Sequence, residues 1–306
     1  MSALVPNMGA IEAETRKLLK SAGIKGRFPT PVAEIVDAAG LQQPQDSMFS
    51  DEVIAEAPRR VQLAIRRLGG GRVLALLDRK RREVHVDPAI QNEGKRAFAT
   101  LHEVTHDVLP WQHELAAFAD NQGTLAPSVK SLFEWEANLG ASNLLFQHDA
   151  FTRLASEYTT EHASIIELGR IVGASGHSTF RRFVSTHRGT VAGVVLELSP
   201  CSIDPLGHRR NEVITSETWK ETFGDAQWPS VLRSDVYPFV ENASAARISV
   251  TPLKSEFALK STEDKSVDLT VELYCNQYRL FVLIWKPRRE LLKRKRLIVP
   301  SEARVA

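Results

Sequence analysis

Two histidines four residues apart, in the run His102-Glu103-Val104-Thr105-His106, constrain this chain more than any other feature. Positions i and i+4 stack on one face of a helix, about a turn apart, so both imidazoles can address one point. The surrounding pattern supplies that helix. Ala97, Leu101, Val104 and Val108 form an apolar stripe over about 92–109, and Pro110 follows as a stop. Upstream, residues 72–78 and 82–87 read as a hairpin. Val84 and Val86 alternate with Glu83, His85 and Asp87, and the turn Asp78-Arg79-Lys80-Arg81 joins the two strands. Any fold of this region must set a helix bearing both imidazoles beside a small antiparallel sheet.

The rest of the chain divides by pattern. Ile11, Leu18, Leu19 and Ala22 share one face of an N-terminal helix that Gly23 and Gly26 end. Thr30 as N-cap and Pro31 at the first helical position predict a second, short helix, which Gly40 stops. A pair of elements spans about 51–67, divided by Pro58. A further helix covers about 131–146. Residues 161–172 and 178–186, separated by Gly173-Ala174-Ser175-Gly176, have the spacing of a helix-turn-helix. Beyond Gly189 the chain turns β-rich, with strands expected at 191–198, 247–251, 266–274 and 278–285, and the last 20 residues are basic. The fold class expected is α+β in three parts. These are a domain of helices with a small sheet over 1–150, a helix-turn-helix-like connector over 151–189, and a β-rich α/β domain over 190–306.

Composition narrows the class. The chain has 306 residues, 43% of them hydrophobic, enough for two or three packed cores. Its longest apolar runs, 191–196 and 280–285, have strand lengths and fall far short of a membrane span. The N-terminus carries no basic-then-apolar signal pattern, and two cysteines, Cys201 and Cys275, make no disulfide framework. A cytoplasmic protein is therefore expected. A net charge of +2 gives no broad electrostatic footprint for nucleic acid, so DNA is not expected as the main partner.

The histidine spacing has a chemical meaning. A catalytic Zn²⁺ takes three protein ligands and a water, whose pKa falls to about 7. His102 and His106 offer two ligands, and Glu103 lies beside their face as the base that takes the proton of the zinc-bound water. Mn²⁺ or Fe²⁺ also suits two histidines and a carboxylate. The metzincin extension of this motif would place glycine at 109 and a third histidine at 112; the chain has Leu109 and Gln112 there. His113 is one residue off and follows Pro110. The third ligand is instead expected on the next helix, which carries Glu134 and Glu136. Two residues apart, they point to different faces. Glu136 is preferred because Ala137, Gly140 and Ala141 follow it, small residues that let two helices approach closely.

These residues carry a resemblance. The run 98–108, then Glu134-Trp135-Glu136-Ala137-Asn138, Ala141 and Leu144-Leu145, resembles the ImmA/IrrE zinc metallopeptidases, and the likeness extends over about 11–146. The resemblance implies zinc held by His102, His106 and Glu136, with Glu103 catalytic. It implies a zinc metalloendopeptidase that regulates transcription, in stress response among other settings, by cleaving a helix-turn-helix repressor. It also implies that 1–150 is a zincin-like metallopeptidase domain and 190–306 a sensor-like, GAF-like domain that takes a small-molecule signal or recognises the substrate. Two positions depart from the family pattern. Thr105 stands where the motif has glycine, and Gly140-Ala141 stands where the family has Phe-Ala.

Other features are weaker. His148, just past the ligand helix, is close enough in sequence to reach the cleft. His162, His177, His187 and His208 show no ligand spacing. Arg181 and Arg182 could meet DNA from the second connector helix, but helix packing is the favoured reading. The basic stretch 286–296 reads as a solvated helix. The competing function is a binding module for protein or DNA that keeps the peptidase fold without cleaving.

Overall fold

The chain enters as helix α1 (Met8–Ser21), which buries Ile11, Thr15, Leu18 and Leu19 on one face. Gly23 and Gly26, both at positive φ, turn the backbone out of it. Helix α2 (Val32–Ala38) starts at Pro31 and is not capped by Thr30 as the sequence suggests. The Thr30 hydroxyl instead donates to the Leu145 carbonyl at 2.6 Å and ties this segment to a later helix. The computed structural model describes residues 7–44, 49, 74–113, 127–202, 204, 206–225, 228–249 and 251–287. The paired elements expected over 51–67, the first residues of the hairpin and most of the basic stretch 286–296 lie outside the described residues.

The hairpin forms as β1 (Ala75–Asp78) and β2 (Glu83–Val86), antiparallel, with Ala75 opposite Val86 and Asp78 opposite Glu83. Asp78 Oδ1 accepts the backbone N–H groups of Lys80 and Arg81 at 2.9 and 3.0 Å, which closes the basic turn. Helix α3 (Glu93–Val108) follows, with Asn92 as N-cap accepting from the Lys95 N–H at 2.8 Å. Helix α4 (Pro127–Leu145) packs across α3 at short range. A Cβ on Gly140 would stand 2.2 Å from Thr105 Cγ2, so only glycine fits opposite that threonine. Helix α5 (Asp149–Ala155) leads to the connector, α6 (His162–Val172) and α7 (Gly176–Ser185). Gly173, at φ +73°, makes the left-handed end of α6, and Ser175 caps α7.

The remaining strands are β3 (Val191–Pro200), β4 (Gly207–Thr215), β5 (Val231–Arg233), β6 (Leu253–Lys260), β7 (Ser266–Cys275) and β8 (Arg279–Trp285). They form one antiparallel sheet in the order β5-β4-β3-β8-β7-β6. The expected strand at 247–251 does not form: Arg247 belongs to the short helix α9 (Ala243–Ile248), which follows α8 (Glu217–Phe223), and the next strand begins at Leu253. Strand β8 reads as an unbroken apolar run because both of its faces are covered. Phe281 and Leu283 join the core shared with α1 to α7, whereas Leu280, Val282 and Ile284 join a second core with Trp219 of α8 and Phe239. The architecture is α+β, as the sequence suggests.

The connector is a packing element. Gly193 of β3 lets Phe180 of α7 sit on the sheet, since a Cβ there would approach the Phe180 ring to 2.6 Å. Arg182 donates to Asn143 Oδ1 and to the His148 carbonyl, both at 3.2 Å, with its side chain directed inward. Arg181 is exposed and pairs with Glu212 of β4 at 2.7 Å. No described helix is long and apolar enough to cross a membrane.

Candidate metal centre

Helix α3 delivers the motif as its spacing demands. His102 and His106 lie a turn apart, with Nε2 atoms 3.1 Å from one another. Helix α4 brings the carboxylate of Glu134 to both, 3.2 Å from His102 Nε2 and 3.7 Å from His106 Nε2. Among the described residues these three form the one group of histidine, cysteine or acidic side chains able to hold a metal ion, with donor atoms within 4.8 Å of each other.

Glu136 is therefore not the carboxylate brought to the histidines, contrary to expectation. Its side chain points to the packed side of α4 and is 3% exposed, against 62% for the Glu134 side chain. Glu136 Oε2 accepts from Trp111 Nε1 at 2.9 Å and from Gln112 Nε2 at 2.8 Å. The small residues after Glu136 do mark the face that packs on α3. A ligand, however, must stand at the rim of that face, open to the cleft.

The unshared ring nitrogens are also engaged. His106 Nδ1 is 2.6 Å from Gln112 Oε1, and His102 Nδ1 is 3.2 Å from Asn138 Oδ1. An amide oxygen only accepts, so with the amides oriented in this way each Nδ1 carries a proton, and in the neutral ring Nε2 presents a lone pair. Two imidazole lone pairs and a carboxylate oxygen thus converge on one point. That donor set suits a divalent cation such as Zn²⁺, and equally Mn²⁺ or Fe²⁺.

Charge follows the same geometry. The His102 bond holds the Glu134 carboxyl below its ordinary range. Burial opposes a charge on His102, but the Glu134 bond and the Glu103 charge outweigh it and raise its pKa. His106 is lowered by burial, against the opposing Gln112 bond. Burial raises Glu103, with the His102 charge pulling the other way. A cleft of about 440 Å³ gives access, lined by Leu74, Leu76 and Phe98 opposite His102, Glu103 and Glu134.

Two other histidines are placed elsewhere. His148 Nε2 is 3.0 Å from Thr15 Oγ1, buried behind α1, and does not reach the cleft. His113 lies 3.3 Å from Asp107 and is not part of the converging group. The residue that sequence reasoning passed over is Gln112. It occupies the position where a metzincin would have its third histidine, and that spacing was the available signal.

Fold and site together define a mixed α+β protein with a candidate cation site of two histidines and a carboxylate. No protein-family model matches the chain, and no curated protein matches it in sequence. Among solved structures it is similar to a Mycobacterium tuberculosis transcriptional regulator, at 12% identity and a TM-score of 0.51, over 97% of this chain and 93% of that one. At that identity the likeness is one of fold.

Proposed function

We propose that the chain is a zinc-dependent endopeptidase of the ImmA/IrrE type that regulates transcription by cutting a helix-turn-helix repressor. The observation that carries this reading is the convergence of His102, His106 and Glu134 beside Glu103 in an open cleft. The contact between Thr105 and Gly140 supports it. Where the family pattern has glycine and phenylalanine, this chain has Thr105 and Gly140, which face one another across one helix crossing with the larger residue against the smallest. The similarity to a transcriptional regulator agrees with a regulatory setting.

A divalent ion held by the three side chains would polarise the scissile carbonyl and bring the pKa of a coordinated water to about 7. Glu103 takes the proton of the attacking water and returns it to the leaving amine. Burial raises its pKa, the direction that suits a base which must also return the proton. Among the described residues β1 pairs with β2 alone, and residues 74–76 line the cleft, so an extended peptide can lie along that strand. Arg79 donates to the His106 carbonyl at 3.1 Å and places a positive charge near Glu103.

The test is to mix the purified, zinc-loaded chain with the repressor encoded beside its gene. A shortened repressor is expected, and Glu103→Gln should keep its metal while losing cleavage by about 10²–10⁴-fold. Cleavage by the Gln variant at the original rate overturns the mechanism. Repressor binding without cleavage by the zinc-loaded chain favours a binding module instead.

A further inference from the structure

Glu136 is a buried carboxylate that the proposed reaction does not use. It sits at the end of a chain of directional bonds that reaches the candidate metal. Gln112 Nε2 donates to Glu136 Oε2 at 2.8 Å and to the Phe133 carbonyl at 3.4 Å. Its Oε1 therefore turns to His106 Nδ1, at 2.6 Å. Gln112 is 1% exposed, so water does not offer its amide another orientation.

An amide can present either end to an imidazole. Presenting oxygen leaves the ring proton on Nδ1 and the lone pair on Nε2, facing His102 and Glu134. Presenting nitrogen reverses both, and a protonated Nε2 cannot ligate. A carboxylate only accepts, so Glu136 forces the Gln112 nitrogen toward itself and the oxygen toward His106.

We infer that Glu136 is a positioning residue, which sets the His106 tautomer through the Gln112 amide and so prepares Nε2 to bind the metal. This inference rests on the metal site proposed above. Gln112 thus occupies the position of a third metzincin ligand but acts on the second histidine rather than on the ion. Partners of this kind typically change metal affinity by about 10–100-fold.

The test is a double-mutant cycle on the full chain, read as Zn²⁺ affinity by competition with a chromophoric chelator. Glu136→Gln would keep its oxygen on the Trp111 Nε1–H, so the variant used is Glu136→Met, which keeps the side-chain length, removes the acceptor and leaves Gln112 Nε2 only its 3.4 Å contact to the Phe133 carbonyl. Affinity should fall about 10–100-fold. Gln112→Met removes the amide and should weaken binding by a similar factor. The double variant should bind like Gln112→Met alone, because Glu136 acts only through Gln112. Long-range ¹H–¹⁵N spectra of the metal-free chain, at a pH where His106 is neutral, should show the proton on Nδ1 of His106, and a mixture of tautomers in Glu136→Met.

Glu136→Met that binds zinc as tightly as the original chain overturns the inference and leaves the metal site standing. Additive losses in the double variant overturn it too. If Glu136→Met does not fold, Gln112→Met alone decides, and undiminished affinity there counts against the inference. An original chain that binds no zinc overturns both the inference and the proposed function.

Discussion

Glu134 and Glu136 are two residues apart on α4, and that offset separates a candidate ligand from its support. Side chains at i and i+2 point about 200° apart around a helix. One is at the rim facing the cleft and the other is enclosed against α3. Glu134→Ala should abolish stable zinc binding by the original chain, measured as metal retained after dialysis against a weak chelator. One equivalent of zinc still held by that variant would remove Glu134 from the ligand set. The Thr105–Gly140 contact gives a second test at this scale. Gly140→Ala places a methyl where Thr105 Cγ2 stands 2.2 Å away, and overpacking of this kind costs about 1–3 kcal/mol. Thr105→Gly in the same chain should recover most of that loss in urea denaturation. Two costs that simply add would show that the residues do not compete for the same space.

Elements were legible where local chemistry alone decides them. The 3.6-residue period marks α3, and glycines at 23, 40 and 173 adopt positive φ where the chain leaves a helix; α7 begins at Gly176, two residues before the expected 178, because Ser175 caps it. Gly173→Ala should therefore cost about 1–2 kcal/mol, the usual penalty of a left-handed L-residue. The added Cβ would also meet Pro29 at 3.1 Å. A chemical-denaturation midpoint equal to that of the original chain would contradict this account. Strands were harder to read. β6 alternates half-buried Leu253, Ser255, Phe257 and Leu259 with exposed Lys254, Glu256, Ala258 and Lys260, a clear two-residue period that went unrecognised. At 247–251 the apolar residues suggested a strand, but Ala246 buries itself against the sheet from a short helix instead. Propensity over five residues is too weak to outweigh that packing.

At the scale of the molecule, one core runs from α1 and α3 through the connector to the sheet. Leu18, Leu101 and Leu144 share it with Phe180, Val195 and Leu283. A chain ended at residue 189 should expose Phe180, Phe183 and Val184 and bind a hydrophobic dye; a compact, non-binding fragment would show that the sheet is dispensable to this core. Stability should also fall with acid. Burial, reinforced by the charges of Arg16 and Arg182, pushes the His148 imidazole down to about 4. The folded chain thus keeps His148 neutral while the unfolded chain takes up a proton below about 6.5. Between those values the unfolded state binds more protons, so stability present above pH 6.5 is lost as the pH falls toward 4. The drop should amount to about 2 kcal/mol between pH 7.5 and 4.5, and His148→Gln should reduce it. An equal drop in that variant would assign the acid sensitivity to other groups.

The sequence by itself determined the histidine-bearing helix, the hairpin before it, the small-residue face of the next helix and the α+β class. Each of these follows from periodicity, capping or backbone preference within about twenty residues. Tertiary structure alone decided which carboxylate meets the histidines, that Gln112 reaches back to His106, and that Arg182 turns inward. Those outcomes depend on how α3 and α4 cross and on where the helical residues from Pro110 set their side chains. They are fixed by contacts between segments distant in sequence, which no local pattern encodes.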